Sequence, residues 1–447
     1  MATETHTPSL ECIEGKDDFL TIPILLNQPL TIGYDANGGK SQQIKELNAD
    51  QGSLVFSWDG VRLLMDPKTI LEVKVNGKKI NHQVEIFSTD VIRLGDSIWR
   101  VNFPVKEPLS LDNKLFKPDS LHRFTGLEKL ENFKLTEIFS EVFMRKTAHD
   151  MEDQLLTGTT RHRPDLMDFD IRWAKPWLFS RFLFITMILG IVMYVAFKWF
   201  NNPLMLPGVL FIGTFAMPLS VLIFFMEMNT PRNISIFNII SAVFAGGVVS
   251  LVVTLIFFDR FEILSDLLGA SSAGIIEELA KLLIVIALFG RNKSFSWAQN
   301  GMLLGSAIGC GFAAFESAGY AFVQLFEQQE GLANFTSSII LRGALAPFTH
   351  IIWTANAAAA LWYVKGEKTF SPSMLFDKFF LRIFVSSMLL HMIWNAPILL
   401  FPIPVFLDLK FLLLGLIGLS ISMRLIQKGL KQIQDARQLE IDRLASS

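Results

Sequence analysis

Two patterns of apolar and polar positions divide the chain near Trp177. After it, apolar stretches of spanning length follow one another, and about 20 apolar residues suffice to cross a bilayer as a helix. Eight such stretches can be drawn, at 178–197, 204–226, 236–258, 270–290, 301–325, 338–363, 379–400 and 404–423. Residues 178–426 therefore read as a mainly α-helical polytopic membrane domain of eight transmembrane helices. Before Trp177 the apolar runs are short. Within residues 1–105, "FLTIPILLNQPLTIGYD" and "VKVNGKKINHQVEIFSTDVIRLGDSIWRVNF" alternate apolar and polar positions between Gly, Asn and Asp. That alternation predicts a small all-β domain. Residues 106–177 read as a linker, in which "LEKLENFKLTEIFSEVFMRKTAHDMEDQLL" can be written as an amphipathic surface helix. Trp173 and Trp177 suit a membrane interface. Residues 427–447 read as a C-terminal helix or tail.

Composition agrees with this division. The 447 residues are 51% hydrophobic, include 40 Phe and are only 18% charged, as expected of a membrane protein with a soluble part. A net charge of −2 gives no reason to expect a nucleic-acid partner. Cys12 lies in a polar segment and Cys310 in an apolar one, so no structural disulfide is expected. "MATETHTPSLECIEGKDDF" has no basic region followed by an apolar one, so no secretory signal is expected there.

Basic residues set the orientation. Arg161, Arg163, Arg172 and Lys175 precede the first span with Arg181 in its first turn, and Arg232 separates the second and third. Arg291 and Lys293 follow the fourth, Lys365, Lys368 and Lys378 the sixth, and Arg424, Lys428, Lys431 and Arg437 the eighth. The opposite loops offer Lys198, Arg260 and the acidic "FEQQEG". Both termini are expected in the cytoplasm, with the protein in the cell (inner) membrane.

A charge at the bilayer centre costs about 2.5–3.5 kcal/mol on insertion scales, so ionisable residues inside spans demand a reason. "GIIEELAKLLIVIALFG" carries Glu277, Glu278 and Lys281. Glu316, His350 and His391 occupy three other spans, and Asn395 follows His391 on the same helix face. Counted from the span ends at about 1.5 Å per residue, Glu277, Glu316, His350 and His391 share a layer roughly 10–18 Å below the outer surface.

The chemistry fits hydrolysis. A carboxylate beside imidazoles can hold and deprotonate water. Lys281, at i+4 from Glu277 and i+3 from Glu278, can keep one carboxylate ionised. The second imidazole and Asn395 can donate to a developing oxyanion. Two adjacent glutamates cannot face one point, and Glu277 is expected at the water with Lys281 holding Glu278. Alternatively, Glu316, His350 and His391 form a two-histidine, one-glutamate zinc set with an open position. Taken singly, each residue also has a plainer reading. The three on one helix can be an ion-pair staple, and Asn395 helix glue. The glycines at 301, 305, 309 and 311 read as close packing. Two wider alternatives remain: a proton-coupled transporter, and a signalling scaffold whose protease-like core is inactive.

The order Glu277-Glu278-x-x-Lys281, Phe312-x-x-x-Glu316, His350 and His391-x-x-x-Asn395 resembles the PrsW family of intramembrane proteases, relatives of the CAAX prenyl and bacteriocin-processing membrane proteases. The resemblance covers about 200–450. It implies hydrolysis of peptide bonds in single-pass substrates such as anti-sigma factors, near the outer face, by glutamate-activated water or a zinc ion. Glu316 stands where the CAAX enzymes carry His, which favours the PrsW side. In the β region, "LTIGY", "VNGKKI" and "VIRLGDSIWRV" resemble the forkhead-associated (FHA) fold, a phosphothreonine-binding β-sandwich. That family's Gly-Arg is Gly33-Tyr34 here, its Ser-x-x-His stretch is missing from "LNADQGSLVF", and its Asn-Gly-Thr turn is Asn76-Gly77-Lys78. These departures remove the strong phosphate partners. The domain is expected to bind a cytoplasmic protein without needing phosphothreonine.

Overall fold

The alternating segments build eleven strands: β1 (Ser9–Glu14), β2 (Thr21–Pro23), β3 (Leu30–Gly33), β4 (Ser41–Gln42), β5 (Gly52–Trp58), β6 (Leu63–Thr69), β7 (Val73–Val75), β8 (Lys78–Lys79), β9 (Val84–Ile86), β10 (Val91–Leu94) and β11 (Ser97–Asn102). They form two sheets, of order β2-β1-β11-β10-β7-β8 and β4-β3-β5-β6-β9. Every second residue turns inward, so Leu10 and Cys12, Leu54 and Phe56, Leu63 and Met65, and Trp99 and Val101 fill one core between the sheets. Asn76 and Gly77, both at positive φ (49° and 74°), make the tight β7–β8 hairpin. This computed structural model describes residues 7–103, 120–326, 331–398, 402–403 and 407–444, except 18–19, 34–40, 48–50, 61, 88–89, 132 and 160–163. Tyr34, Asn48 to Asp50, Arg161, Arg163 and most of "FEQQEG" lie outside the described residues.

Two further segments complete the β unit, residues 164–172 and 431–444. Met167, Ile441 and Leu444 pack with Ile13, Val91 and Ile98. Arg437 is buried there, donating to Asn76 Oδ1 at 2.6 Å and to the Phe169 carbonyl at 3.1 Å. The region 127–156 is not one amphipathic helix. It forms short helices at Leu135–Ile138 and Ala148–Leu156, because Thr147 and Asp150 make a capping box that starts the second afresh. Trp177 is enclosed by protein rather than facing lipid, with Arg181 over its ring at 4.6 Å.

The helical unit contains α1 (Leu178–Phe200), α2 (Leu206–Met228), α3 (Ile236–Arg260), α4 (Ala273–Phe289), α5 (Ala298–Leu325), α6 (Gly331–Leu345), α7 (His350–Lys365), α8 (Lys378–Asn395) and α9 (Leu409–Leu444) up to residue 430. Six helical segments among the described residues are long and apolar enough to span a membrane, which supports a multi-pass membrane protein. The expected eight are not confirmed. α4 and α8 fall short because α4 has only 17 residues and α8 mixes Lys378, Arg382, His391 and Asn395 into 18. These two helices carry much of the polar chemistry. α5 is the central element, with 83% of its apolar window buried, against 6% for α1.

Candidate active site

Close backbone approaches bring four helices together around one point. On α5, Gly301, Gly305 and Gly309 form a ladder facing α7. A Cβ on them would lie 2.4, 2.5 and 2.6 Å from the carbonyls of Ala358, Thr354 and His350. No larger residue permits this approach. Gly274 does the same for α4 and α8, since its Cβ would lie 2.5 Å from Met392 N. The segment from α6 to α7 breaks at Ala346–Phe348 and at Thr349, whose φ of −118° and ψ of −135° are not helical. His350 therefore opens α7.

The side chains then form a continuous polar chain. Lys281 Nζ donates to Glu278 Oε1 at 2.6 Å and to His350 Nδ1 at 2.8 Å. An ammonium only donates, so His350 Nδ1 is the acceptor and its proton sits on Nε2. That Nε2 faces Glu316 Oε2 at 3.1 Å. His391 has the opposite arrangement. Its Nδ1 lies 3.0 Å from Glu278 Oε1, which accepts from it, so the Nε2 lone pair is free. Lys281 also lies 4.3 Å from the Phe312 ring centroid, and His391 stacks on Trp353 at 4.3 Å.

Glu277 ends the chain. Its Oε2 is buried and makes no hydrogen bond among the described groups. It lies 3.8 Å from His391 Nε2, 3.8 Å from Lys281 Nζ and 3.7 Å from His350 Nδ1. Two cations, Lys281 and Arg342, face the three carboxylates of the cluster. Glu277, Glu316, His350, His391 and Asn395 all line one cavity of about 530 Å³. The structure thus unites every residue singled out in the spans. Asn395 contributes to the cavity wall, one turn beyond His391.

Arg342 was missed by sequence reasoning. It pairs with Glu316 Oε2 at 2.6 Å and reaches Ser317 Oγ at 2.9 Å. The signal was present, since Arg342 interrupts the apolar run 338–363, but so near its start that it reads as an interfacial residue.

Glu277, His350 and His391 offer ligand atoms within 4.8 Å of one another, close enough for a metal ion. Glu316, expected in that set, is outside it and committed to Arg342. The donors do not fit a metal as they stand. Both His350 nitrogens are engaged, by Lys281 and by Glu316. Of these three residues only Glu277 and His391 offer uncommitted ligand atoms, while catalytic zinc takes three protein ligands. The Lys281 ammonium, 3.8 Å from Glu277 Oε2, would also repel a second cation.

Within a bundle of apolar helices, these residues make a buried glutamate–histidine centre open to a cavity. The model of the PrsW family intramembrane metalloprotease matches residues 230–423, which hold the whole centre. The match supports a membrane protease at the level of the family. No curated protein matches the chain. Three solved structures are similar to the β domain. An FHA domain of a hypothetical protein from Arabidopsis thaliana is 18% identical, with 23% of this chain and 88% of that one covered and a TM-score of 0.20. A chain from a study of phosphothreonine-dependent FHA domain interactions is 22% identical (22% and 96% covered, TM-score 0.18). The FHA domain of the CT664 protein from Chlamydia trachomatis is 14% identical (22% and 96% covered, TM-score 0.19).

Proposed function

We propose that the protein is an intramembrane endopeptidase that cuts single-pass membrane proteins, of which anti-sigma factors are one kind, with Glu277 as the base. The carrying observation is Glu277 Oε2, buried, without a hydrogen bond and facing the cavity beside the free His391 Nε2. Two acceptors 3.8 Å apart repel unless a donor lies between them, and a water donates one hydrogen to each. As the water oxygen attacks the scissile carbonyl, Glu277 takes its proton. Asn395 supplies a donor for the oxyanion, while His350 stays held between Lys281 and Glu316. The intermediate then collapses, the C–N bond breaks, and Glu277 returns the proton to the leaving nitrogen. Water and one amide become a carboxylic acid and an amine. Lys281 and Glu278 keep the two rings in their opposite tautomers.

The cavity is lined from the beginnings of α4, α7 and α9 and the ends of α5 and α8, which is one end of the bundle. With both termini in the cytoplasm, as the basic loops indicate, that end lies in the outer half of the cell membrane. The β domain recruits a cytoplasmic protein independently of phosphothreonine. Supporting this, Asn76 of the hairpin turn is already committed to Asp90, Val91 N and Arg437.

The test compares new protein N-termini in membranes of cells producing the wild type or Glu277→Gln. A cut in a single-pass protein that appears only with the wild type supports the reading. Identical termini in both contradict it.

A further inference from the structure

We infer that Arg342 is a positioning residue of this site, pinning the Glu316 carboxylate that holds His350. The inference rests on the hydrolytic reading above and extends the machinery to α6. Three contacts fix the guanidinium against one stretch of α5. Nη2 donates to Glu316 Oε2 at 2.6 Å, Nε donates to Ser317 Oγ at 2.9 Å, and the group lies 4.5 Å from the Tyr320 ring centroid. A residue present only to balance charge needs no such fork and no ring beneath it.

The consequence lies in the shared atom. Glu316 Oε2 accepts from Arg342 and also faces the His350 Nε2 proton at 3.1 Å. A glutamate side chain has three rotatable bonds, and α5 alone does not fix its end. Arg342 fixes it and so fixes the direction of the His350 N–H. Lys281 holds the other side of the ring at 2.8 Å. His350 is thus clamped between two cation-supported contacts, one from α4 and one from α6 through α5. Arg342 acts through Glu316; no contact with a reacting atom is required of it.

A rival role is mechanical. Leu341, Arg342 and Leu345 wall the cavity, so the same ion pair can act as a latch that admits substrate. The two roles separate kinetically. Loss of a positioning residue lowers kcat with KM little changed, whereas loss of a latch moves KM.

The experiment uses the full chain in lipid nanodiscs, as wild type, Arg342→Gln and Arg342→Lys. Turnover is measured on the single-pass substrate found above, and the His350 Nε2–H resonance on nitrogen-15 histidine-labelled protein. Arg342→Gln is expected to lose about 10–100-fold in kcat, the usual cost of removing an outer partner of a functional histidine. KM stays near the wild-type value, and the His350 resonance shifts or broadens. Arg342→Lys, which keeps the charge without the fork, recovers only part of the loss; it also carries both readouts should Arg342→Gln not fold. Wild-type kcat, a loss seated in KM, or an unmoved His350 resonance overturns the inference. If the wild type cuts nothing, the hydrolytic reading fails, and the His350 resonance alone decides what Arg342 does.

Discussion

His391 donates from Nδ1 to Glu278 Oε1 at 3.0 Å, and this bond turns its bare Nε2 towards Glu277 Oε2 at 3.8 Å. The neighbouring glutamates on α4 therefore have different tasks. Glu278 is spent on holding Lys281 and His391, and Glu277 is left facing the cavity.

That division predicts the outcome of Glu278→Gln. The amide can present its NH2 to His391 Nδ1, which reverses the tautomer and places a proton on Nε2. The water then loses an acceptor. Turnover should fall on the order of 10²–10⁴-fold, the range of lost acid–base assistance, while nitrogen-15 spectra show the exchanged His391 tautomer. An active variant with the original tautomer would separate Glu278 from catalysis.

The glycine ladder makes a packing prediction. A methyl at Gly309 would meet the His350 carbonyl at 2.6 Å, and one at Gly319 on the same helix meets nothing within 4 Å. Gly309→Ala should cost about 1–3 kcal/mol by overpacking and reduce cleavage by moving His350. Gly319→Ala should be neutral or gain up to about 1 kcal/mol from helix propensity. Thermal unfolding and turnover of the two variants check this; equal behaviour would mean that α5 and α7 can separate without harm.

The engaged nitrogens of His350 predict that chelators leave cleavage unchanged and that purified active protein holds no stoichiometric zinc. Loss of activity with chelator, restored by zinc, would show that His350 exchanges the Lys281 or Glu316 contact for a metal.

The β domain carries a pH-dependent element. Asp90 is fully buried, and desolvation pushes its carboxyl above the usual range, against the pull of Arg172, the Phe87 N–H and Asn76. A raised folded-state pKa means that the fold favours the protonated form. Its contribution is complete below the ordinary aspartate value of about 4 and is lost as pH rises through the folded value. Denaturant unfolding of the β domain within the full chain, followed by proteolysis, should show wild type gaining on Asp90→Asn as pH falls from about 7 towards 4. A pH-independent difference would contradict the buried assignment.

Periodicity made much of this architecture legible. Alternation marked the β domain because one face of most strands is buried, and hydropathy marked α1, α2 and α3 because they stay apolar even where the protein leaves them uncovered. It drew α4 and α8 as full spans, which are not confirmed, since an apolar stretch in the sequence does not show that its helix is only 17 residues long or mixes cations into its apolar run. The site residues were legible because charge inside an apolar segment is costly, and this singled out Glu277, Glu278, Lys281, Glu316, His350 and His391. Their partnerships were not. Which oxygen meets which nitrogen depends on the approaches at Gly274 and Gly309 and on the break at Thr349, and none of these has a periodic signature. Arg342 escaped notice because a single cation near a span end is ordinary. The use of residues 431–444 by the β unit was also hidden, since contacts between chain ends leave no local pattern.

The most direct test of the central claim is the single-turnover rate of substrate cleavage by Glu277→Gln in liposomes, beside wild type and Lys198→Gln as a distant control. Glutamine keeps the shape and hydrogen-bonding size of Glu277 but cannot take a proton. The account predicts intact insertion, wild-type rates for the control and no measurable cleavage by Glu277→Gln at any substrate concentration. Cleavage by Glu277→Gln at the wild-type rate would contradict it.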